Sequence, residues 1–205
     1  MQEYTFVSSP KIRLAVYLVI LIITSTSCNE TPIPKPRGYI RIDLPEKRYT
    51  TFDSCYPFRF EYPVYAHLTP DTSRQAMPFW LNMNFGQMKA TLFLSYKPIK
   101  KNELATYLED NHLFLSRHIA KSNGIEELRI ENSHSRIFGT LYNINGTGAA
   151  SPIQFFLTDS THHFVRGALY FNFTPNNDSL RPVIEFLNSD LIHMVETFRW
   201  QNSVN

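Results

Sequence analysis

The sequence predicts an α+β fold in which an antiparallel β-sheet packs against two long α-helices, in a single domain over residues 39–205. Most segments beyond residue 39 alternate apolar and polar residues with a period of two, which is typical of strands. Two other segments have the helical period of 3.6 residues. The 205 residues also include 16 Phe and 11 Tyr, and a sheet-rich core accommodates many such rings.

Composition and charge exclude several classes of protein. Apolar residues make up 43% and charged residues 19% of the chain, with 7 Gly and 13 Pro. These values are not those of a disordered chain, a collagen-like repeat, a coiled coil or a polytopic membrane protein. The formal net charge is only +2, so we expect no nucleic-acid partner.

Residues 1–27 have the three parts of a bacterial export signal. Lys11 and Arg13 precede ten uncharged residues, Leu14 to Ile23, and small polar residues follow. A membrane-spanning helix needs about 20 apolar residues, so this run is too short to span comfortably. We therefore predict a cleaved signal peptide, with an uncleaved anchor helix as the alternative.

Cys28 follows the small residues directly and resembles the cysteine of a bacterial lipobox, which carries the lipid. Ser25 stands where that motif usually has Leu, as in the looser lipoboxes of Bacteroidetes lipoproteins. Several long acyl chains such as palmitate hold a protein on a membrane, whereas a single chain binds only marginally. We predict membrane anchoring through lipid on Cys28, with an ordinary soluble export signal as the alternative.

Residues 28–38 are predicted to form a Pro-rich tether. Three prolines at alternate positions favour an extended chain that spans about 3.1 Å per residue, or roughly 30 Å in total. Basic residues in and beyond the tether are expected either to rest on anionic lipid head groups or to be solvated; they are Lys35, Arg37, Arg41, Lys47 and Arg48. Cys55 has no partner if Cys28 is lipidated, so we expect a buried or half-buried thiol.

The strands are predicted in chain order from alternating residues. Phe58, Phe60 and Tyr62 share one face of the first strand. The later strands run over 79–85, 92–96, 138–144, 153–157 and 163–173. Gly86-Gln87 and Asn145-Gly146 supply turns. The short connections predict antiparallel pairing.

The two helices are predicted to cover one face of the sheet. Asn102 caps the first helix, Gly124 marks its end, and its apolar side comprises Leu104, Tyr107, Leu108, Phe114, Leu115 and Ile119. Asp178 or Ser179 caps the second helix, with Pro182 in the first turn. Its apolar stripe comprises Leu180, Val183, Ile184, Leu187, Leu191, Val195 and Phe198.

The sequence contains no motif for a metal, a phosphate or a nucleophilic serine, so we expect no metal site, no cofactor and no enzyme activity. If two histidines meet, His134 and His162 are the best candidates, because both are predicted at loop ends. Asp159, Ser160 and His162 are of triad residue types, but an Asp-Ser-Thr hairpin is more often turn chemistry. The acidic pairs Glu109-Asp110 and Glu126-Glu127 are interpreted as a solvated helix face and a turn.

Two short motifs resemble the sequon of Bacteroidetes periplasmic O-glycosylation. They are Asp159-Ser160-Thr161 and Asp178-Ser179-Leu180. Both serines are predicted at exposed positions, Ser160 in a hairpin and Ser179 at a helix start. We therefore predict O-glycosylation at Ser160 and Ser179, although a capping role explains Ser179 equally well.

Longer segments carry two resemblances. Phe58-Arg59-Phe60-Glu61-Tyr62-Pro63 and the order of elements resemble the Mog1/PsbP-type sandwich. The segments 34–47, 58–65, 92–98 and 107–110 resemble the gliding motility lipoprotein GldD family of Bacteroidetes. The most specific likeness is Gln154-Phe155-Phe156-Leu157-Thr158-Asp159-Ser160-Thr161, continuing through 163–171.

The GldD resemblance implies an envelope lipoprotein that is required for gliding over surfaces and that faces the periplasm. The family is associated with the machinery that moves adhesins and with type IX secretion, so the implied partners are proteins of that machinery. It implies no catalytic residues. Two alternatives stay open: an envelope hydrolase that uses His162 or His134 with Asp159, and a lipoprotein with a lipid- or glycan-binding pocket between sheet and helix.

Overall fold

The computed structural model describes residues 43–101, 103–119, 122–146, 149–173 and 177–201, together with positions 10, 11, 14 and 17. The predicted lipid site Cys28, the tether and the helix cap Asn102 lie outside the described residues, as does most of the signal peptide. Residues 40–205 belong to one compact unit. In the part of the chain that is described, no helix has the length and apolar character needed to cross a bilayer.

The described chain from residue 43 onward forms strands in two groups, each group followed by a helix. The first group consists of β1 (Tyr49–Phe52), β2 (Phe58–Pro63), β3 (His67–Pro70), β4 (Leu81–Phe85) and β5 (Ala90–Pro98), followed by α1 (Glu103–Ile119). The second consists of β6 (Gly124–Asn132), β7 (Ile137–Asn145), β8 (Ile153–Thr158) and β9 (His163–Phe171), then α2 (Asn177–Thr197) and the short β10 (Arg199–Trp200). A 3₁₀ turn at Gly86–Met88 joins β4 to β5.

The strands build two sheets in which every pairing is antiparallel. The large sheet has seven strands in the order β3-β4-β5-β9-β8-β7-β6, and the small one has the order β1-β2-β10. In the middle of the large sheet β5 pairs with β9, where Ala90 faces Phe171 and Pro98 faces His163. The predicted α+β fold with an antiparallel sheet and two helices is confirmed.

The main core lies between the large sheet on one side and α2 with the small sheet on the other. Phe58 and Phe60 of β2 stack on Phe198 just after α2, with ring centroids 5.4 and 6.1 Å apart. Leu187 and Leu191 of α2 are completely buried in the same core. The predicted inner face of β2 and the predicted stripe of α2 are thus confirmed.

The opposite side of the large sheet, here called the outer face, carries a smaller cluster under α1. Leu115 of the helix packs there with Tyr142, Ile144 and Ala149. The alternation predicted for β7 from Phe138 to Ile144 therefore marks its outer face, while Ile137 and Leu141 enter the main core. The two helices cover opposite faces of the large sheet, so the prediction that both cover one face is wrong.

The apolar side predicted for α1 is only partly correct. Asn111 and Leu115 are buried, whereas Leu108 is 37% and Phe114 40% exposed. The helix covers only part of the outer face, so one row of its side chains contacts the sheet. The predicted member Ile119 has a side chain outside the described part of the structure.

Several predicted boundaries are wrong. Gly124 begins β6 rather than ending a helix, and Glu126-Glu127 lie in that edge strand rather than in a turn. Phe79 precedes β4, has a left-handed backbone with φ of 66° and is exposed. Helix α2 starts at Asn177, which places Asp178 and Ser179 within its first turn and Pro182 in its interior.

Cys55 is exposed as a free thiol, which contradicts the expected burial. It lies in the bend between β1 and β2, where the neighbouring Tyr56 packs against the main core but Cys55 faces solvent. In this turn, the apolar character of the small Cys55 side chain is not enough to bury it.

Candidate functional site

Asp159 organises the tip of the β8–β9 hairpin, the segment with the most candidate residues. Its Oδ1 accepts backbone N–H bonds from Thr161, His162 and His163 at 3.0, 2.8 and 2.8 Å. Its Oδ2 accepts the Thr161 hydroxyl at 3.0 Å. Although burial acts in the opposite direction, these bonds lower the pKa of Asp159 from 3.8 to about 2. The predicted turn chemistry is confirmed, and the carboxylate acts as a loop anchor.

The other candidate triad residues do not assemble around Asp159. His162 Nδ1 lies 3.6 Å from Asp159 Oδ2, but it hydrogen-bonds to the Thr161 hydroxyl at 2.8 Å. Within the described ranges, no hydrogen bond joins the Ser160 hydroxyl to a histidine, and no contact joins His134 to His162. A nucleophile must be within hydrogen-bond reach of its base, so this hairpin lacks that arrangement.

Ser160 stands at the exposed tip of the same hairpin, with a left-handed backbone φ of 68°. Ser179 is also exposed, on the first turn of α2. Both serines are therefore accessible to a modifying enzyme, and O-glycosylation at these positions stays a prediction.

His163 connects this hairpin to the neighbouring strands. Its Nδ1 lies 2.8 Å from the Tyr96 hydroxyl of β5, and its ring stacks on Trp200 of β10 at a centroid distance of 5.0 Å. Burial lowers the pKa of His163, opposed by the charge of Asp159. His163 is thus part of the packing between the two sheets rather than an exposed ligand. In the stretches that the structure describes, no three His, Cys, Asp or Glu side chains form a metal-binding group.

A second polar centre, which the sequence analysis missed, surrounds Asp190 on α2. Asp190 is completely buried and its Oδ1 accepts Lys47 Nζ at 2.9 Å and the Tyr49 hydroxyl at 2.8 Å. The Tyr65 hydroxyl donates to Oδ2. Burial first, and then the hydrogen bond and charge of Asp190, raise the pKa of Tyr49 to about 12 and also raise the pKa of Tyr65.

The ammonium group of Lys47 therefore interacts with α2. It also donates to the Phe186 carbonyl at 2.9 Å and to the Ser189 hydroxyl, and it lies 4.2 Å from the Phe186 ring centroid. The expectation that Lys47 rests on lipid head groups or is solvated is wrong, because its charge is used within the domain. The Asp190 centre, comprising Lys47, Tyr49, Tyr65 and Asp190, joins the segment around β1 and the residue Tyr65 after β2 to α2.

The Asp190 centre continues into the contact between α2 and the small sheet. His193 of α2 stacks on Tyr49 at 3.8 Å between ring centroids, and its Nε2 lies 2.7 Å from Glu61 of β2. The sequence does contain a sign of this centre: Asp190 is an acidic residue inside the apolar stripe of α2, directly before Leu191. A buried carboxylate in such a stripe requires partners, but nothing in the local pattern tells which ones.

Comparisons with known proteins identify a family and similar solved structures. The family model described as gliding motility lipoprotein GldD matches residues 29–200. No curated protein matches the chain. Among solved structures, the solution structure of cyanobacterial PsbP (CyanoP) from Synechocystis sp. PCC 6803 is similar, with a TM-score of 0.46 and 10% identity over 79% of this chain and 98% of that one.

Proposed function

Since this chain belongs to the gliding motility lipoprotein GldD family, we propose that it supports assembly or stability of the gliding and type IX secretion machinery by protein–protein contact. Family membership itself gives a role in gliding motility and a lipoprotein of the cell envelope. The observation that carries the proposal is the extent of the match, residues 29–200, which includes both the proposed tether and the folded domain.

In this proposal, Cys28 carries the lipid and the domain faces the periplasm. Tethering confines a domain near the membrane and raises its effective concentration toward envelope partners without new contacts. The Asp190 centre supports such a role because it holds Lys47 and Tyr49, which follow the proposed tether by about ten residues, against α2.

The domain is proposed to act without catalysis. The oxygens of Asp159 are occupied by loop amides and a hydroxyl, as described above, and this favours a structural role for the hairpin. If the alternative hydrolase were correct, alanine at the histidine that it uses, His162 or His134, would abolish gliding. If the domain acts by protein–protein contact, a strain that carries His162→Ala should spread like the wild type, because this exposed side chain bonds only within its own loop.

Two substitutions at the cysteines test the anchor. Cys28→Ser in the native host should move the protein from the membrane to the soluble fraction, remove palmitate labelling and reduce spreading. Cys55→Ser is the matched control, because this free thiol is exposed and outside both cores. Membrane retention and full spreading of Cys28→Ser would contradict the anchoring step.

Deletion of the gene tests the wider role. We expect the deletion strain to lose spreading and to secrete less of an adhesin cargo, and a copy of the gene to restore both. Photo-crosslinking from exposed apolar positions in intact cells then identifies the partner; Leu113 is 55% and Leu128 46% exposed. Wild-type spreading and secretion in the deletion strain would refute the proposal.

A further inference from the structure

A small cavity lies between α1 and the outer face of the large sheet. Its volume is about 150 Å³. Aromatic rings form much of its wall: Trp80, Tyr107, Phe114 and Phe164. At roughly 30 Å³ per water molecule in the liquid, this space corresponds to about five waters. It suits a ligand, or the end of a ligand, of a few heavy atoms.

Arg166 of β9 brings a positive charge to this cavity without an acidic partner. Its Nη2 donates to Gln154 Oε1 at 2.8 Å, its guanidinium lies 4.6 Å from the Phe114 ring centroid, and it also interacts with the Tyr170 hydroxyl. All three neighbours are uncharged groups. Within the residues the structure describes, no carboxylate forms an ion pair with Arg166.

In the described structure, Arg166 and its hydrogen-bond partner Gln154 each have one buried nitrogen atom without a partner. Arg166 Nε and Gln154 Nε2 are both inaccessible to solvent and, in the described part of the chain, neither has a hydrogen-bond acceptor. Gln154 is only 1% exposed. A buried donor without an acceptor costs stability, so the polar groups around Arg166 are incompletely paired within the protein.

The remaining charges at the cavity balance each other. Lys97 Nζ lies 3.6 Å from Asp110 Oδ2, and Lys97 also sits 4.6 Å from the Tyr107 ring centroid. This pair leaves the charge of Arg166 uncompensated. Because a partly buried cation is stabilised by an anionic partner, the unpaired Arg166 favours an anionic ligand in this cavity.

We propose that this cavity binds a small organic carboxylate with a short apolar end, its carboxylate paired with Arg166. A guanidinium presents a planar fork of donors that matches the two oxygens of a carboxylate. Ser95 and the buried side chain of Asn111 line the same cavity and offer further donors. The apolar end of the ligand packs against the aromatic wall.

Tryptophan fluorescence of the full-length lipoprotein in detergent tests this site. The chain has only two tryptophans, so Trp200→Phe leaves Trp80, in the cavity wall, as the sole reporter. We expect butyrate to change this fluorescence with saturation and neutral butyramide to have no effect. Calorimetry on the wild-type lipoprotein provides the same comparison without the Trp200→Phe substitution.

Substitutions of arginine identify the binding group. Arg166→Met removes the charge with little change in volume, and should weaken butyrate binding by about tenfold or more, as expected for loss of charge-assisted hydrogen bonds. Arg166→Lys keeps the charge but not the fork, and should bind with intermediate affinity. Arg181→Met on the exposed side of α2 is the control, since its side chain is 77% exposed, and should bind like the wild type.

The result can overturn the proposal in three ways. Equal responses to butyrate and butyramide would show that charge is not recognised. Unchanged affinity in Arg166→Met would exclude the arginine, and tighter binding of inorganic phosphate than of butyrate would exclude a carboxylate site. If Arg166→Met does not fold, the butyrate–butyramide comparison and Arg166→Lys still decide.

Discussion

The Asp190 centre allows a quantitative prediction about stability. Asp190→Ala removes a completely buried carboxylate and leaves Lys47 and two tyrosine hydroxyls without their acceptor. Removing one partner of a buried ion pair costs about 3–5 kcal/mol. The Lys47 side chain is 33% exposed and water can solvate it after the substitution, so we expect the lower end, about 3 kcal/mol.

This loss can be measured as a fall in melting temperature. For a domain of this size, 1 kcal/mol corresponds to about 2–4 °C, so Asp190→Ala should lower Tm by about 6–12 °C. Circular dichroism or scanning calorimetry of the full-length lipoprotein in detergent gives the value, and urea unfolding should show a lower midpoint with an unchanged slope.

A matched substitution on the same helix separates this effect from a general loss of charge. Glu185 pairs with Arg181 at 2.8 Å, but the two side chains are 65% and 77% exposed. Exposed pairs of this kind contribute about 0.3–0.5 kcal/mol, so Glu185→Ala should shift Tm by about 2 °C or less. If Asp190→Ala and Glu185→Ala had equal Tm values, the Asp190 centre would not be the stabilising element inferred here.

Two further predictions concern the β8–β9 hairpin. The folded-state pKa of Asp159 is about 2, against an ordinary value of 3.8. Its contribution to stability is therefore complete above pH 3.8 and is lost as the pH falls through about 2. In acid titrations, the difference in unfolding free energy between wild type and Asp159→Asn should shrink over this interval. Gly167→Ala would place a Cβ 2.2 Å from the Phe155 ring, so it should destabilise the domain by about 1–3 kcal/mol. Gly86→Ala meets nothing within 4 Å and should melt near the wild type; equal Tm values for both alanine variants would disprove the steric argument.

Elements with one buried face were the ones that could be predicted from the sequence. Alternation in β2 and the stripe of α2 report which side chains avoid water, and both faces lie where the pattern placed them. The Asp159 turn was also predictable, because its hydrogen bonds reach only two to four residues along the chain. Edge strand β6 was missed, since most of its residues are exposed on both faces and no alternation results.

The amino-acid sequence by itself determined the class of fold, the export and lipidation hypothesis, and the likeness to the gliding motility lipoproteins. These depend on composition, local periodicity and contiguous motifs. Only the tertiary structure decided which polar groups meet: Lys47 reaches Asp190 across 143 positions of the chain, and Arg166 lines a cavity without forming an ion pair to any described carboxylate. Periodicity records exposure to water at each position, whereas the partner of a buried charge depends on how distant elements pack together.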